Sequence, residues 1–516
     1  MDYMKLQNGS DIRGIAVDGV PGDKVNLDET AAFRIGRAFA EWLTEKTESE
    51  ETLRISIGRD PRISGEALAR AFGMGAFSAA GCDAGDGFVP DDVVIMDCGL
   101  ASTPAMFMST LFDSTDCDGA VMITASHLPY HRNGFKFFTK GGGLGKPDIK
   151  AILEKAGSYG EDVSPDSVRV FALDDGSGLM EEYAAHLRHL ISDGIDPDIS
   201  KPLTGLRICV DAGNGAGGFY ASDVLAPLGA EVVGTFLEPD GMFPNHIPNP
   251  EDKIAMAAIS SSVREAGADL GLIFDTDVDR SAAVDENGNE IARNGIVALA
   301  AALVYEDHPG TTVVTDSITS THLTPFLEEG LGMKHLRFKR GYKNVIDKSK
   351  ELNENGEESW LAIETSGHCA FKDNYFLDDG AYLATKIVIK TARLAMEGKK
   401  ISSMIADLGS PAEAREVRMK LSAEDFASYA GEVLDAVESY ASNDAEEMSV
   451  VTPNFEGVRV NYDDGEIQGW FLLRKSLYEP LMPLNIESEQ EGGCDVIAAA
   501  LKKALADFTE LDSSGL

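Results

Sequence analysis

The chain of 516 residues lacks paired cysteines. No two of its six cysteines form a CxxC pair, which argues against a structural zinc site or a disulfide framework and favours a reducing compartment. We expect all six to be small core residues rather than nucleophiles. The six are Cys82, Cys98, Cys117, Cys209, Cys369 and Cys494.

Long apolar runs are also missing, since no run reaches the ~18 residues that a membrane-spanning helix needs. The first residues, MDYMKLQNGSDIRG, do not have the charged-then-apolar order of a secretion signal. The sequence therefore predicts a cytoplasmic protein, or one of an organelle stroma if a targeting peptide has been removed.

Positive charge is scarce, with 45 Lys and Arg against 86 Asp and Glu and a net charge of −41. Such a field repels nucleic acid and anionic membranes, so we expect neither as a partner. It would also repel an anionic substrate, so any phosphate site must carry its own local cations. We expect a small-molecule substrate and a monomer or homodimer.

The chain is long enough for several domains at roughly 100–200 residues each. Short apolar runs alternate with helix-like stretches, which is typical of a mainly parallel α/β sheet. This pattern restarts after the linker GIDPDISKPL and again at Thr311. We predict three α/β domains, at residues 1–200, 201–308 and 309–411, and a smaller α+β domain at 412–516.

Each of the three α/β segments ends a strand with a polar loop. The loops read TASH, DTDVDR and ETSGH. Because ligands in open α/β sheets lie beyond the carboxyl ends of strands, these loops are candidates for one shared site.

The loop DTDVDR places Asp275, Asp277 and Asp279 at alternate positions, followed by Arg280. Three carboxylates so close repel one another unless a cation offsets their charge, and oxygen ligands suit Mg²⁺. An EF-hand is an alternative, because Glu286 completes its acidic spacing. However, Arg280 stands where that loop needs glycine, and a strand-like run precedes it. A phosphatase with an aspartyl-phosphate intermediate is a second alternative.

The loop TASHLP places Ser126 in a turn after a strand, where its hydroxyl can be exposed. His127 and Lys136 are candidate proton-transfer groups or phosphate donors. Taken alone, a serine after a strand is more often a capping residue. The presence of the carboxylate loop in the same chain favours the catalytic interpretation.

Two further loops offer groups for a sugar phosphate. ETSGH carries hydroxyls and an imidazole that can bind sugar hydroxyls, or it is a structural turn. Arg474, Lys475 and Ser476 form a local positive exception in an acidic chain and can hold a phosphate by charge-assisted hydrogen bonds.

These motifs, in this order, resemble the α-D-phosphohexomutases. SDIRG at 10–14, GRDPRISG at 58–65 and PDGMFPNHIPNPE at 239–251 resemble further segments of that family. The resemblance implies a four-domain architecture, with three related α/β domains plus a smaller C-terminal α+β domain around a central cleft. Thr276 and Val278 stand where glycines are usual in the family, so we expect a stiffer carboxylate loop.

The resemblance also implies a role for each motif residue. Ser126 would be the phosphoserine and a metal ligand, Lys136 the proton-transfer group, and His127 and Arg280 would flank the phosphoryl group. Asp275, Asp277 and Asp279 would bind Mg²⁺. The residues expected to bind substrate are Arg13, Lys343, Glu364, Ser366, His368, Arg474, Lys475 and Ser476.

The activity so implied interconverts hexose 1-phosphate and hexose 6-phosphate through a hexose 1,6-bisphosphate. The family's phosphomannomutase/phosphoglucomutase members are the preferred match, and phosphoglucosamine mutase is the alternative. A divalent-metal-binding module without catalysis and a sugar phosphatase are alternatives of other classes.

Overall fold

The structure is a computed structural model that describes residues 1–47, 52–79, 93–168, 171–476 and 479–516. Its contacts divide the chain into two compact units. The first unit comprises Met1–Ile296 and Ser366–Met404, and the second comprises Val297–Thr365 and Ile405–Leu516.

The N-terminal part of the first unit is an eight-stranded sheet in the order β1-β2-β6-β5-β3-β4-β8, with β7 paired to β6. Its strands are β1 Gln7–Asn8, β2 Asp11–Ile15, β3 Leu53–Arg59, β4 Val93–Leu100, β5 Gly119–Ile123, β6 Arg132–Thr139, β7 Gly142–Gly143 and β8 Asp174–Asp175. Its helices are α1 Glu29–Thr47, α2 Gly65–Ser78, α3 Thr103–Met108, α4 Lys146–Ser158 and α5 Leu179–Ile195.

This sheet is mixed rather than mainly parallel, so that expectation is wrong for the N-terminal part. Strand β3 pairs in parallel with β4 and β5, whereas β6 runs antiparallel to both β5 and β2. The reason is local, because only the short serine loop joins β5 to β6 and parallel neighbours need a crossover of a dozen or more residues.

Helices α1 and α2 pack closely because each presents a glycine to the other. A Cβ atom on Gly36 would collide with the carbonyl of Phe72, and one on Gly75 would collide with the carbonyl of Phe33. Both helices bury apolar side chains on the sheet, where Phe39 and Phe72 meet Phe137 with ring centroids 4.8 and 6.0 Å apart.

The second part of the first unit is a five-stranded sheet in the order β10-β9-β11-β12-β13. Strand β11 is buried at every position and runs straight into the carboxylate loop. A strand at this place, with no helix before the loop, argues against the EF-hand alternative. The elements are β9 Arg207–Asp211, β10 Glu231–Thr235, α6 Lys253–Ala266, β11 Leu270–Phe274, β12 Ser281–Val284 and β13 Glu290–Ile291. Helix α7 Asn294–Tyr305 follows, and its residues from Val297 onward belong to the second unit.

The next elements follow the same alternation of strand and helix. They are β14 Thr312–Thr315, α8 Leu323–Pro325, β15 Lys334–Arg337, α9 Tyr342–Glu354, β16 Leu361–Ile363, β17 Cys369–Phe371 and α10 Gly380–Met396. In the second unit, β14 lies between β15 and β16 and pairs in parallel with both.

The C-terminal part is a five-stranded sheet in the order β18-β22-β21-β20-β19, and all its strand pairs are antiparallel. Two helices cover one face of this sheet and enclose a separate apolar core. The elements are β18 Glu413–Lys420, α11 Phe426–Asn443, β19 Met448–Val450, β20 Val458–Asp463, β21 Gln468–Leu473, β22 Leu481–Ser488 and α12 Gly493–Ala504.

The α/β class with a further C-terminal α+β part is therefore confirmed. The domain limits at 200, 308 and 411 remain a prediction. Within the described residues, no helix is long and apolar enough to cross a membrane. Five cysteines are free and buried, as expected, and Cys82 lies outside the described residues.

The glycine contact between α1 and α2 leads to a stability prediction. We expect Gly75→Ala to destabilise the protein by about 1–3 kcal/mol, because the added methyl group overpacks a close backbone contact. A matched control is Gly431→Ala in α11, where a Cβ atom meets nothing within 4 Å. That change should stabilise the helix by up to about 1 kcal/mol. Thermal unfolding of both variants tests the pair, and an unchanged melting temperature for Gly75→Ala would contradict the packing argument.

Candidate functional site

Ser126 lies at the turn between β5 and β6 in the left-handed backbone region, with φ of 51°. Its backbone N–H donates to Thr124 Oγ1 at 2.9 Å, and that hydroxyl donates to Asp60 at 2.7 Å. The residue is 7% exposed, so the expectation of an open hydroxyl is wrong. The hydroxyl is enclosed by charged groups from the first unit.

Three side chains surround the hydroxyl of Ser126. It donates to the carboxylate of Asp275 at 3.0 Å and accepts from Arg280 Nη2 at 3.0 Å. His127 Nδ1 lies 3.4 Å from the same oxygen and 2.7 Å from Arg280 Nη2. The structure therefore brings together Ser126, His127, Arg280 and one residue of the carboxylate loop, Asp275.

Arg62 fixes the backbone of the serine loop from behind. Its guanidinium donates to the carbonyls of Ser126, Leu128 (2.6 Å), Pro129 (2.8 Å) and Arg132 (3.0 Å). The buried carboxylate of Asp60 accepts from its Nε at 3.1 Å. Four carbonyls bound to one buried cation hold the loop in a single conformation.

Asp275, Asp277 and Asp279 are buried, and they offer oxygen atoms that lie within 4.8 Å of one another. The Oδ1 atoms of Asp277 and Asp279 have no hydrogen-bond partner among the residues that the structure describes. Buried carboxylate oxygens without a partner are costly, and a hard divalent cation would satisfy them. The three residues thus fit a metal site.

Lys136 and Arg280 offset the charge of the carboxylate loop. Lys136 Nζ donates to Asp277 at 2.8 Å and also to Asp279, and Arg280 contacts Asp275 at 3.0 Å. Burial lowers the pKa of Lys136, but the charges of Asp277 and Asp279 outweigh it and leave this pKa well above its usual value.

The pKa values of two carboxyl groups in the loop shift in opposite directions. Burial and the charges of Asp279 and Asp277 raise the pKa of Asp275 well above its usual value. Burial also favours the neutral form of Asp279, but Lys136 and His368 outweigh it and lower the pKa of Asp279. Burial and Arg280 lower the pKa of His127 to about 2, so this imidazole is neutral.

Val278 has φ of 68°, a conformation that a β-branched residue adopts only under strain of about 1–3 kcal/mol. Its carbonyl accepts from the backbone N–H of Gly380 at 3.1 Å. A Cβ atom on Gly380 would lie 2.6 Å from the carbonyl carbon of Arg280, so only glycine fits there. Val278 therefore adopts a backbone conformation that glycine favours, although it stands where glycine is usual in the family.

Arg13 and His368 also belong to this site. Arg13 donates to the carbonyl of Thr124 at 2.5 Å, as expected for a residue near the serine loop. His368 Nδ1 lies 2.5 Å from Asp378 and 3.9 Å from Asp279. Burial lowers the pKa of His368, but Asp378 and Asp279 outweigh it and raise this pKa to about 9. Its imidazolium therefore lies beside the carboxylate loop.

Ser366, also in the first unit, is 5% exposed, and its hydroxyl has no hydrogen-bond partner among the described residues. An orphaned buried hydroxyl is available for a ligand. This placement is compatible with the predicted contact to a sugar hydroxyl.

The other predicted binding residues lie in the second unit. Glu364 is buried and accepts from the N–H of Gly341 at 2.6 Å. Lys343 pairs with Asp347 at 2.6 Å on helix α9. Lys475 is exposed, and the N–H of Ser476 donates to the carbonyl of Leu481 at 3.0 Å.

Arg474 follows strand β21, and its Nε is buried without a hydrogen-bond partner among the described residues. Burial, and next the positive charge of Arg340, lowers the pKa of Arg474. The positive charge of Arg340 near the buried, unsatisfied N–H of Arg474 favours the binding of an anion. Leu477 and Tyr478, which follow this loop, lie outside the described residues.

Sequence reasoning missed Arg62, Asp60 and Arg340. Arg62 and Asp60 lie in the segment GRDPRISG, whose resemblance to the family was the available signal. No sequence pattern indicates that one arginine binds four carbonyls of a loop 64 to 70 residues away. Arg340 lies in KRGYK, where only Lys343 was selected.

Comparison with known proteins is consistent with this architecture along most of the chain. Three family models match, described as phosphoglucomutase/phosphomannomutase alpha/beta/alpha domains I, II and III, at residues 4–162, 181–288 and 292–410.

Curated relatives match over nearly their full length. A phosphomannomutase/phosphoglucomutase of Pseudomonas syringae pv. tomato is 29% identical over 505 residues, which cover 96% of this chain and 95% of the relative. A phosphoglucomutase/phosphomannomutase of Thermococcus kodakarensis is 30% identical, with 94% and 95% covered. The X-ray structure of a family protein from Burkholderia thailandensis is 26% identical, with a TM-score of 0.76 and 99% and 100% covered.

The fold and the matching domains define an enzyme of the phosphohexomutase class. The chain belongs to the phosphoglucomutase/phosphomannomutase family, and the predicted family and class of activity are confirmed.

The Arg62 contacts lead to a prediction about the serine loop. We expect Arg62→Lys to lose most of the carbonyl contacts and to destabilise the protein by about 1–3 kcal/mol, because one ammonium group cannot reach all four carbonyls and leaves buried acceptors unsatisfied. Amide hydrogen exchange over residues 124–132 should increase. Arg59→Lys is the matched control, because Arg59 is partly exposed and contacts Asp97 at only 3.5 Å. Equal exchange in both variants would show that Arg62 does not hold the loop.

Proposed function

We propose that this chain interconverts hexose 1-phosphate and hexose 6-phosphate through a phosphorylated Ser126 and a hexose 1,6-bisphosphate. One observation carries the proposal. The Ser126 hydroxyl lies 3.0 Å from both Asp275 and Arg280, at the edge of a buried three-carboxylate loop. A serine so placed can hold a phosphate between an arginine and a metal.

In the first half-reaction, a free hydroxyl of the sugar phosphate attacks the phosphorus of phosphoserine 126. The new O–P bond forms while the P–Oγ bond breaks, so Ser126 leaves as an alkoxide that needs a proton. The attacking hydroxyl loses its proton to a base. The bisphosphate then turns around, and its other phosphate returns to Ser126 by the reverse steps.

Asp275, Asp277 and Asp279 are the proposed ligands of Mg²⁺, with the serine phosphate as a further ligand. Bound there, the cation would stabilise negative charge on the phosphoryl oxygens. Arg280 would stabilise the same charge, because its Nη2 contacts the serine oxygen.

Lys136 is the proposed proton-transfer group. Its raised pKa keeps it protonated beside Asp277 and Asp279, which suits the acid half of the role. To accept a proton as the general base, Lys136 needs a lower pKa. A cation bound by the same carboxylates would offset the charges that raise it.

Arg474 and Ser476, with Lys475, are proposed to bind the phosphate that is not transferred. The buried unsatisfied Nε of Arg474 and the nearby charge of Arg340 support this role. Glu364, Ser366 and His368 are proposed to contact sugar hydroxyls.

Two further contacts complete the proposed set. Lys343 would assist at the substrate phosphate, and Arg13 would act near the serine loop.

The preferred substrates are mannose and glucose phosphates, because the curated relatives that span nearly the whole chain carry the names phosphomannomutase and phosphoglucomutase. Glucosamine phosphate is the alternative substrate, and hexose 1,6-bisphosphate is the proposed activator.

A coupled mutase assay tests the proposal. It offers mannose, glucose and glucosamine 1-phosphates in turn, with Mg²⁺ and a catalytic amount of the bisphosphate. We expect the native chain to convert one of them, and Ser126→Ala to lose at least about a thousandfold in kcat because the phosphoryl carrier is gone. Ser158→Ala, an exposed serine at the end of α4, is the control. Release of inorganic phosphate instead of isomer would identify a phosphatase.

The metal ligands are tested by thermal unfolding with added Mg²⁺ or Ca²⁺. At about one hundred times Kd, a bound ion stabilises the folded state by about 2.7 kcal/mol. We expect this gain with Mg²⁺ for the native chain and its loss in Asp277→Asn, together with most of the activity. The exposed Asp307→Asn is the control. Preference for Ca²⁺ without any mutase activity would favour the metal-binding module.

A further inference from the structure

The connector between β10 and α6, residues 236–252, contacts both arginines that touch Ser126. It contains the segment PDGMFPNHIPNPE, which has no part in the mechanism described above. Arg62 binds the carbonyl of Ser126, and Arg280 binds its hydroxyl. One end of the connector contacts Arg62, and the other end contacts Arg280.

The first end of the connector packs against Arg62. The Phe243 ring lies 5.1 Å from the guanidinium of Arg62. A Cβ atom on Gly241 would lie 2.7 Å from the backbone nitrogen of Ile63 and 2.9 Å from the Cα of Arg62. The backbone of the connector therefore lies directly on residues 61–63, with no space for a side chain.

The second end of the connector contacts Arg280. Asn249 Oδ1 accepts from Arg280 Nη1 at 3.1 Å, and Glu251 lies 3.9 Å from the same nitrogen. Nη2 of this guanidinium is the group that reaches the Ser126 hydroxyl. Asp275 accepts from Nε and Nη2 of this planar group, and Asn249 restrains its third nitrogen, so the two residues together fix the rotation of the guanidinium.

His246 attaches the connector to the end of strand β9 between these two contacts. Its Nε2 lies 3.2 Å from both carboxylate oxygens of Asp211, and its Nδ1 lies 2.9 Å from the carbonyl of Ile247. The two side chains are 1% and 0% exposed. Burial lowers the pKa of His246, but its hydrogen bond with Asp211 outweighs this and raises the pKa above its usual value.

The residues around His246 and Asp211 leave these two side chains little space to move. Gly213 adopts φ of 52°, and a Cβ atom there would lie 2.7 Å from Pro248 and 3.2 Å from the His246 ring. Asn245 donates to Asn214 at 2.8 Å beside it. The connector is thus fastened to the β9 loop immediately before Asn249.

We propose that His246, bonded to Asp211, is a positioning residue that sets Arg280 against the serine oxygen through Asn249. The inference rests on the proposed function, because it assigns His246 a part in phosphoryl transfer at Ser126. A shift of about 1 Å in a group that stabilises the transferring phosphoryl can cost about a hundredfold in rate. The buried pair keeps Asn249 within hydrogen-bond distance of Arg280.

The test compares kcat and KM for the sugar phosphate in His246→Gln, Asn249→Ala and the double variant. We expect each single change to lower kcat about tenfold or more, with a KM change below about threefold, because neither residue binds the substrate. Since both act through Arg280, the double variant should lose no more than the worse single variant. The control is His189→Gln, which removes an exposed His–Asp pair on helix α5.

Two measurements separate this inference from the proposed function. If the native chain has no mutase activity, the proposed function fails. Hydrogen exchange over residues 124–132 and 275–284 then still tests the positioning, and should rise in His246→Gln but not in His189→Gln. If the native chain is active and His246→Gln keeps its kcat, or if the two losses multiply, the positioning role is overturned. Should His246→Gln fail to fold, Asn249→Ala decides, because an unchanged kcat there also overturns the inference.

Discussion

The site depends on the burial of three carboxylates in one six-residue loop. Asp275, Asp277 and Asp279 are at most 1% exposed, and charges so close in a low-dielectric interior repel strongly. The chain offsets them with cations from other segments, namely Lys136 on β6 and Arg280 at the end of the loop. Neither cation could be removed alone without leaving an uncompensated buried charge. The position of Ser126 follows from the same requirement, because Arg280 and Asp275 both bind its hydroxyl.

Hydrogen bonds bring further distant segments to the same loop. Thr103, at the start of α3, donates its hydroxyl to Asp277 at 2.6 Å, and its N–H donates to the carbonyl of the same residue at 2.8 Å. The backbone of His368 pairs with that of Arg280 in an isolated bridge. Each contact satisfies a polar group that would otherwise be buried without a partner. The site is therefore part of what holds the first unit together.

The apolar pattern of the sequence was sufficient to predict the strands that precede the candidate site loops. Buried β5 and β11 are short apolar runs bounded by polar turns. Alternating aspartates after such a strand predicted the buried carboxylate cluster, which could hold a metal ion. The antiparallel partner β6 was not predictable from the apolar pattern, since a strand reads alike in either direction. The contacts of Arg62 with the serine-loop carbonyls and the backbone conformation of Val278 depend on the path of the backbone. The pattern of side chains in the sequence does not predict that path.

A buried arginine joins two sheets within the second unit, and the sequence did not indicate this contact. The predicted boundary at residue 411 remains a prediction, and residues 297–365 and 405–516 share one compact unit. Arg459 on β20 explains this, because its guanidinium stacks 3.6 Å from the Trp470 ring and donates to the carbonyls of Ser317 and Thr319 after β14. A buried arginine with these partners joins two sheets that have separate cores. The predicted phosphate-binding Arg474, at the end of β21, is therefore carried on the same body as Glu364, at the end of β16.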